Sequence, residues 1–256
     1  MKKPRPYLLA ETNWKAVKDT NYQVVVLPWG ATEAHNYHLP YGTDNYESNY
    51  IVEAAAQQAW EAEAKVIALP GIPFGVQSGQ LDIKLCMNLN PSTQLAILKD
   101  VVDVLSRHGI RKLVILNGHG GNNFKMMIRE LSVCFPDVFV CEVAWFKIGP
   151  WSDYFENQGD HAGEMETSIM QQIAPDLALP LSEAGDGAAK KYKIKAFQEG
   201  WATSQRQWTK VTKDTGVGNP AKATAEKGKK YLDMAVGKIA RFLVELAECD
   251  VDDLFE

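Results

Sequence analysis

RKLVIL at 111–116, NGHGGNN at 117–123 and FKMMIRELSVC at 124–134 follow one another without a gap. After Arg111 and Lys112 the first piece is an unbroken apolar run, LVIL, which predicts a buried strand. The second is a tight Gly-rich turn, and the third predicts a helix. The same order recurs on both sides. YQVVVLP (22–28) predicts a buried strand ended by Pro28, and residues 46–63, rich in Ala with apolar residues at helical spacing, predict a helix. KVIAL (65–69) is a second strand, stopped by Pro70-Gly71, and 71–90 reads as an irregular loop. Asn90 is a helix cap with Pro91 at the first helical position, and that helix runs to about His108, with Gly109 as its stop. A strand is expected over 138–146, a loop over 159–163, a helix over 164–173 and a last helix over about 221–247. Residues 176–219 have weak periodicity and carry no assigned role. Strands alternating with helices predict an α/β fold with a largely parallel sheet and helices on both faces. With no repeat and no linker, 1–256 reads as one domain.

The formal net charge of -5 and a pI near 5.6 argue against a nucleic-acid partner, which needs a basic face. The locally basic run Lys190 to Lys195 reads as a solvated face. Cys86, Cys134, Cys141 and Cys249 form no CxxC pair, so a thiolate zinc site or redox dithiol has no support. Cys134 and Cys141 lie in apolar stretches and are expected in the core. MKKPRPYLLAETNW starts basic but lacks the apolar run of about 7–15 residues that a signal peptide needs. No stretch approaches the ~18 apolar residues of a membrane span. A cytoplasmic protein with no membrane partner is expected.

The chemistry collects in three loops, which hold four of the five histidines. Loops at the carboxyl ends of parallel strands share one crevice, so residues distant in sequence converge there. GATEAHNYHLPYGTD (30–44) offers Glu33 and His35, two apart and therefore on one side of an extended segment, then His38 and Asp44. Carboxylates with imidazoles are the ligands of Zn, Mn or Fe, although a polar loop with hydrogen-bonded His residues would read the same. NGHGG (117–121) lets the backbone bring His119 into the crevice. It fits neither a dinucleotide fingerprint nor a Walker loop, and a phosphate-cradling turn is its alternative. GDHAGEMETS (159–168) carries Asp160, His161, Glu164 and Glu166 at a helix start. The helix dipole favours acidic residues there regardless of function, but it does not account for His161. His108, at a helix C-terminus, is explained by capping and the dipole. His38 is expected to hydrogen-bond within its loop.

LPWGATEAH…HLPYGTD (27–44), LNGHGGN (116–122) and HAGEMETS (161–168), taken in order, resemble the creatininase family of amidohydrolases. The resemblance implies a three-layer α/β/α fold, a homohexamer and two divalent ions per chain, Zn or else Mn or Fe. It implies a metal-dependent amidohydrolase that breaks a cyclic or linear C–N amide bond in a small molecule with a metal-activated water. Glu33, His35, Asp44 and His119 match the family's metal ligands, with Asp44 as the bridge. Creatininase itself carries a Glu where this chain has Gly121, so a Glu of HAGEMETS is expected to complete the site: Glu166 first, Glu164 second. His161 matches the residue that handles the proton at the scissile amide. Asp160 is expected to orient a neighbouring His or the substrate nitrogen. Ser78 and Trp151 are expected to touch substrate, with Trp145 and Trp201 as further wall or core residues. Asn36-Tyr37 replaces the usual Gly-Pro, and 75–87 lacks the family's Glu-His and Pro-Gly-Thr pattern. The alternatives are a deformylase of formamido-pyrimidines, a member tied to peptide-cofactor maturation, and a metal-binding member without turnover.

Overall fold

The computed structural model describes residues 4–255; Met1, Lys2 and Lys3 of the basic start lie outside it, as does Glu256. In chain order the elements are α1 (Trp14–Val17), β1 (Val24–Trp29), α2 (Thr43–Glu61), β2 (Val66–Ala68), α3 (Pro91–Arg107), β3 (Lys112–Asn117), α4 (Lys125–Cys134), β4 (Phe139–Ala144), α5 (Glu164–Ile173), α6 (Lys195–Gln198), α7 (Trp208–Val211) and α8 (Ala225–Glu248). The strands form one parallel sheet in the order β2-β1-β3-β4.

Both faces of the sheet are covered, which is why the strands read as continuous apolar runs. Val24, Val26, Val114 and Leu116 point to the face covered by α2 and α8. Val25, Leu27, Leu113 and Ile115 point to the face covered by α3 and α4. Side chains alternate along each strand, so the two layers draw on alternate residues of the same run. Burying each such side chain contributes roughly 1.5–3 kcal/mol. This is the expected three-layer α/β/α arrangement.

The strand order positions the site. The chain winds outward from β1 to β2, then crosses back to β3 on the other side of β1. The loops leaving β1 and β3 therefore diverge, and a crevice opens between them at the carboxyl ends. The register pairs Trp29 with Asn117, the last residues of the two strands. The His-bearing loops 30–42 and 118–123 consequently start side by side.

Several boundaries differ from expectation. α2 begins at Thr43 rather than 46, so Asp44 sits in its first turn, where the dipole favours a carboxylate. β4 stops at Ala144 and a 3-10 turn, Trp145–Lys147, follows. α8 starts at Ala225, where the Thr224 side chain accepts from Lys227 N and caps it. Cys134 is exposed at the end of α4 instead of buried, because that helix buries Met127 and Leu131 and ends beyond them. α5 and α8 cross at Gly228, where a Cβ would lie 2.1 Å from Ser168 O, so no larger residue allows the approach. Among the described residues no helix is long and apolar enough to cross a membrane.

Candidate metal centre

Each ligand atom is aimed by its own backbone context. His35 follows β1, and its Nδ1 lies 3.1 Å from Glu33 O. A carbonyl only accepts, so Nδ1 donates to it and Nε2 is left facing Asp44 Oδ1 at 2.9 Å. Asn36 then turns the chain with φ +53°, a left-handed conformation that Asn tolerates. Its amide exchanges hydrogen bonds with Gly185, and its N–H donates to Thr215 Oγ1 at 2.9 Å. The Asn36-Tyr37 pair is thus seated against the distal segment, with Tyr37 Oη donating to Lys213 O.

His119 N donates to Asn117 Oδ1 at 3.0 Å, which gives the Asn of NGHGG its role. His119 Nε2 donates to Val76 O at 3.1 Å. Nδ1 is left facing Glu33 Oε1 at 2.8 Å and Asp44 Oδ2 at 3.0 Å. His161 is held by an antiparallel bridge to Val217, and its Nε2 donates to Ala34 O at 2.8 Å. Its Nδ1 lies 3.9 Å from Glu33 Oε1, and its ring stacks 4.2 Å from that of His35.

Three sets of donor atoms close to within 4.8 Å: Glu33, His35 and His161; Glu33, Asp44 and His119; His35, Asp44 and Glu166. The second and third share Asp44 alone. Glu33 Oε1, His35 Nε2 and Asp44 Oδ2 are buried and make no contact of hydrogen-bond geometry. They converge on shared space rather than satisfy one another. Buried polar atoms without partners are costly, and a cation in that space relieves the cost. The donor set therefore fits divalent ions, which imidazole and carboxylate suit.

The titration directions agree. Burial pushes the Glu33 carboxyl up, but His119, His161 and His35 outweigh it and hold it well below the usual range. Burial pushes His35 down, but Asp44 raises it to about 10, and Glu33 and Asp44 likewise raise His119 well above its ordinary value. Burial raises Glu166, partly offset by His35 and His161. The carboxylates thus favour the protonated forms of His35 and His119, and a cation in the same space would compete with those protons.

The two candidate glutamates separate cleanly. Glu166 faces the cluster and accepts from Ala162 N. Glu164 is fully buried but outside all three sets. It accepts from Glu156 N at 3.1 Å, Asn157 N at 2.7 Å and Lys227 Nζ at 2.6 Å. Two residues along a helix turn the side chain by about 200°, so both cannot face the crevice.

A cavity of about 680 Å³ opens onto the cluster. Trp151, Asp160, His161 and Glu166 line it. Ser78 is exposed and off the wall; its neighbours Gln77 and Gln80 line it instead, because the loop turns those side chains inward. Asp160 pairs with Arg206 (Nη2–Oδ2 2.5 Å) rather than with a His. Trp145 is core and Trp201 is 74% exposed, away from the cavity. His38 bonds out of its loop, with Nε2 2.9 Å from Thr167 Oγ1 on α5, and burial beside His35 lowers it to about 4.

The sequence reading missed three contributions. Ser204, Gln205, Arg206 and Trp208 wall the cavity, and the Trp208 ring meets that of His161 at 4.9 Å. Glu47 is fully buried one turn after Asp44, with both carboxylate oxygens unpartnered and its carboxyl raised by burial, Glu166 and Asp44. A helix start at 43 would have revealed it through its spacing from Asp44. Gln80 donates to Glu33 Oε2.

A family model described as creatinine amidohydrolase matches residues 10–243. A creatinine amidohydrolase of Pseudomonas putida is 24% identical over 176 residues, which are 60% of this chain and 65% of that protein, less than two thirds of its length. A mycofactocin precursor peptide peptidase of Mycobacterium ulcerans (strain Agy99) is 25% identical over 230 residues, 85% of each chain. A crystal structure from Bacteroides fragilis NCTC 9343, described as a candidate creatinine amidohydrolase, is 44% identical with a TM-score of 0.91 and covers 100% of both chains. A manganese creatininase (TM-score 0.78, 95% of this chain and 99% of that one) and a zinc-zinc mutant creatininase (TM-score 0.76, 95% and 99%) are each 23% identical and share the fold.

Proposed function

The chain belongs to the creatininase family, and on that premise we propose that it is a metal-dependent amidohydrolase holding two divalent ions, zinc or manganese. The observation that carries this reading is Asp44, which joins the set of Glu33 and His119 to the set of His35 and Glu166. Glu33, Asp44 and His119 would hold one ion; His35, Asp44 and Glu166 the other. Bound there, the ions would lower the pKa of a water and polarise an amide carbonyl.

The chain's own groups do the rest. Ala34 O fixes the His161 tautomer by accepting from Nε2, so Nδ1 faces the cluster and can take a proton and pass it to the leaving nitrogen. Trp151 and Trp208 give the substrate flat apolar walls and exclude water. The substrate is a small amide, cyclic or linear, and about 680 Å³ is ample for one. One domain spanning the chain, a cytoplasmic location and a homohexamer complete the proposal.

A second reading, hydrolysis of a peptide bond, is favoured by the relative from M. ulcerans, which matches 85% of each chain and is a precursor peptide peptidase. A screen of cyclic ureides including creatinine, formamides and short peptides separates the two, since one class should turn over and the others not.

Elemental analysis tests the centre itself. About two zinc or manganese ions per chain are expected in the wild type and about one in Glu166→Ala. Glu164→Ala should keep both ions yet lose on the order of 1–3 kcal/mol of stability in denaturant titration, because Lys227 and two backbone N–H groups lose their acceptor. No tightly held divalent ion in the wild type, even after incubation with zinc or manganese, would overturn the proposal.

A further inference from the structure

The loop 75–87 supplies the inner supports of the cluster. Gln80 is 1% exposed. Its Nε2 donates to Glu33 Oε2, while Glu33 Oε1 faces His119 and Asp44. One carboxylate oxygen is thus tied back and the other is left free.

An amide can face a carboxylate only with its NH₂ end, since the carbonyl end would oppose like charge. The orientation of Gln80 is set from behind. Cys86 Sγ donates to Gln80 Oε1 at 3.2 Å and accepts from Ala34 N at 3.3 Å. The thiol therefore bridges the backbone of the ligand-bearing loop, between Glu33 and His35, to the amide that holds Glu33. Nothing in the proposed chemistry uses Cys86 or Gln80 directly.

We infer that Gln80, its amide oriented by the Cys86 thiol, is a positioning residue that presents Glu33 Oε1 to the ion held by Glu33, Asp44 and His119. The inference rests on the two-ion reading above. Supports of this kind contribute roughly 10–100-fold to metal affinity. The effect is confined to one ion, because the set of His35, Asp44 and Glu166 contains no residue that Gln80 touches.

The test is calorimetric titration of the metal-free protein with Zn²⁺, for wild type, Gln80→Met, Cys86→Ala and Cys86→Ser. Gln80→Met keeps the length and apolar bulk but removes the N–H donor. It should weaken one of the two binding events about 10–100-fold and leave the other within about twofold. Cys86→Ala should weaken the same event by less, about 3–10-fold, since Gln80 keeps its donor but loses its orientation. Cys86→Ser should restore it, because a hydroxyl can also donate to Gln80 and accept from Ala34.

Wild-type affinity for both ions in Gln80→Met would overturn the inference. So would an equal loss at both sites, which marks a merely structural role, or a Cys86→Ser variant no better than Cys86→Ala. A wild type that takes up no second ion defeats the two-ion reading instead, and the two failures are told apart by that control.

Discussion

Asp44→Ala is expected to leave the protein with almost no tightly bound divalent ion and to reduce amide hydrolysis by roughly a thousandfold or more. Asp44 is the residue on which both proposed sites depend, with Oδ1 2.9 Å from His35 Nε2 and Oδ2 3.0 Å from His119 Nδ1. Losing it removes a ligand from each ion at once. His119→Ala should abolish activity as well, yet it removes a ligand from one set only and should retain about one ion per chain. The fold should survive both changes, since neither side chain belongs to the apolar clusters under α2, α8, α3 or α4. The measurements are elemental analysis, circular dichroism and turnover on whichever amide the wild type accepts. An Asp44→Ala protein with two ions, or with full activity, would exclude the shared-ligand arrangement.

The second large effect is expected at Gly121. A Cβ there would lie 2.3 Å from His119 Nε2 and 2.4 Å from Val76 O, the pair joined by the hydrogen bond that sets the His119 tautomer. Gly121→Ala should push the imidazole off Glu33 and Asp44, weaken the ion they share and lower kcat/KM by about a hundredfold, and it should lower the melting temperature as well, because the backbone at Val76 must shift. Gly121→Glu, which restores the residue found in creatininase itself, should do no better. In this chain the space beside His119 is filled by Val76 O and by the Gln77 amide, 3.1 Å from Nε2. The loop 75–87 occupies the place that a side chain at 121 would need. A Gly121→Glu variant more active than wild type would contradict this.

The alternation of strand and helix was legible because each element announces itself locally. VVVLP and LVIL are apolar on both faces, Asn90-Pro91 and Gly109 bracket α3, and Ala174-Pro175 ends α5. The loop positions of Glu33, His35, His119 and His161 were legible for the same reason: polar residues that interrupt such runs at strand ends have one crevice to enter. The start of α2 has no local signal, because Gly42, Thr43 and Asp44 look like loop residues. The place of Glu47 beside the centre depends on its helical spacing from Asp44, which is visible only once both lie on α2.

Other features had no local signal. Glu164 and Glu166 have the same chemistry, and only the crossing of α5 with α8 turns one toward Lys227 and the other toward His35. Residues 176–219 are aperiodic, and their fit to Asn36 and His161 comes from Gly185, Thr215 and Val217, none of which is unusual in sequence. Gln80 and Cys86 would pass for an ordinary loop amide and a stray thiol. By itself, then, the sequence determined the parallel α/β frame and which loops carry ligands, because hydrophobic period and turn chemistry act over a few residues. Tertiary structure alone decided which carboxylate faces the centre, which distal segment walls it and which side chains hold Glu33, because these depend on atoms meeting across long separations, where no period exists to be read.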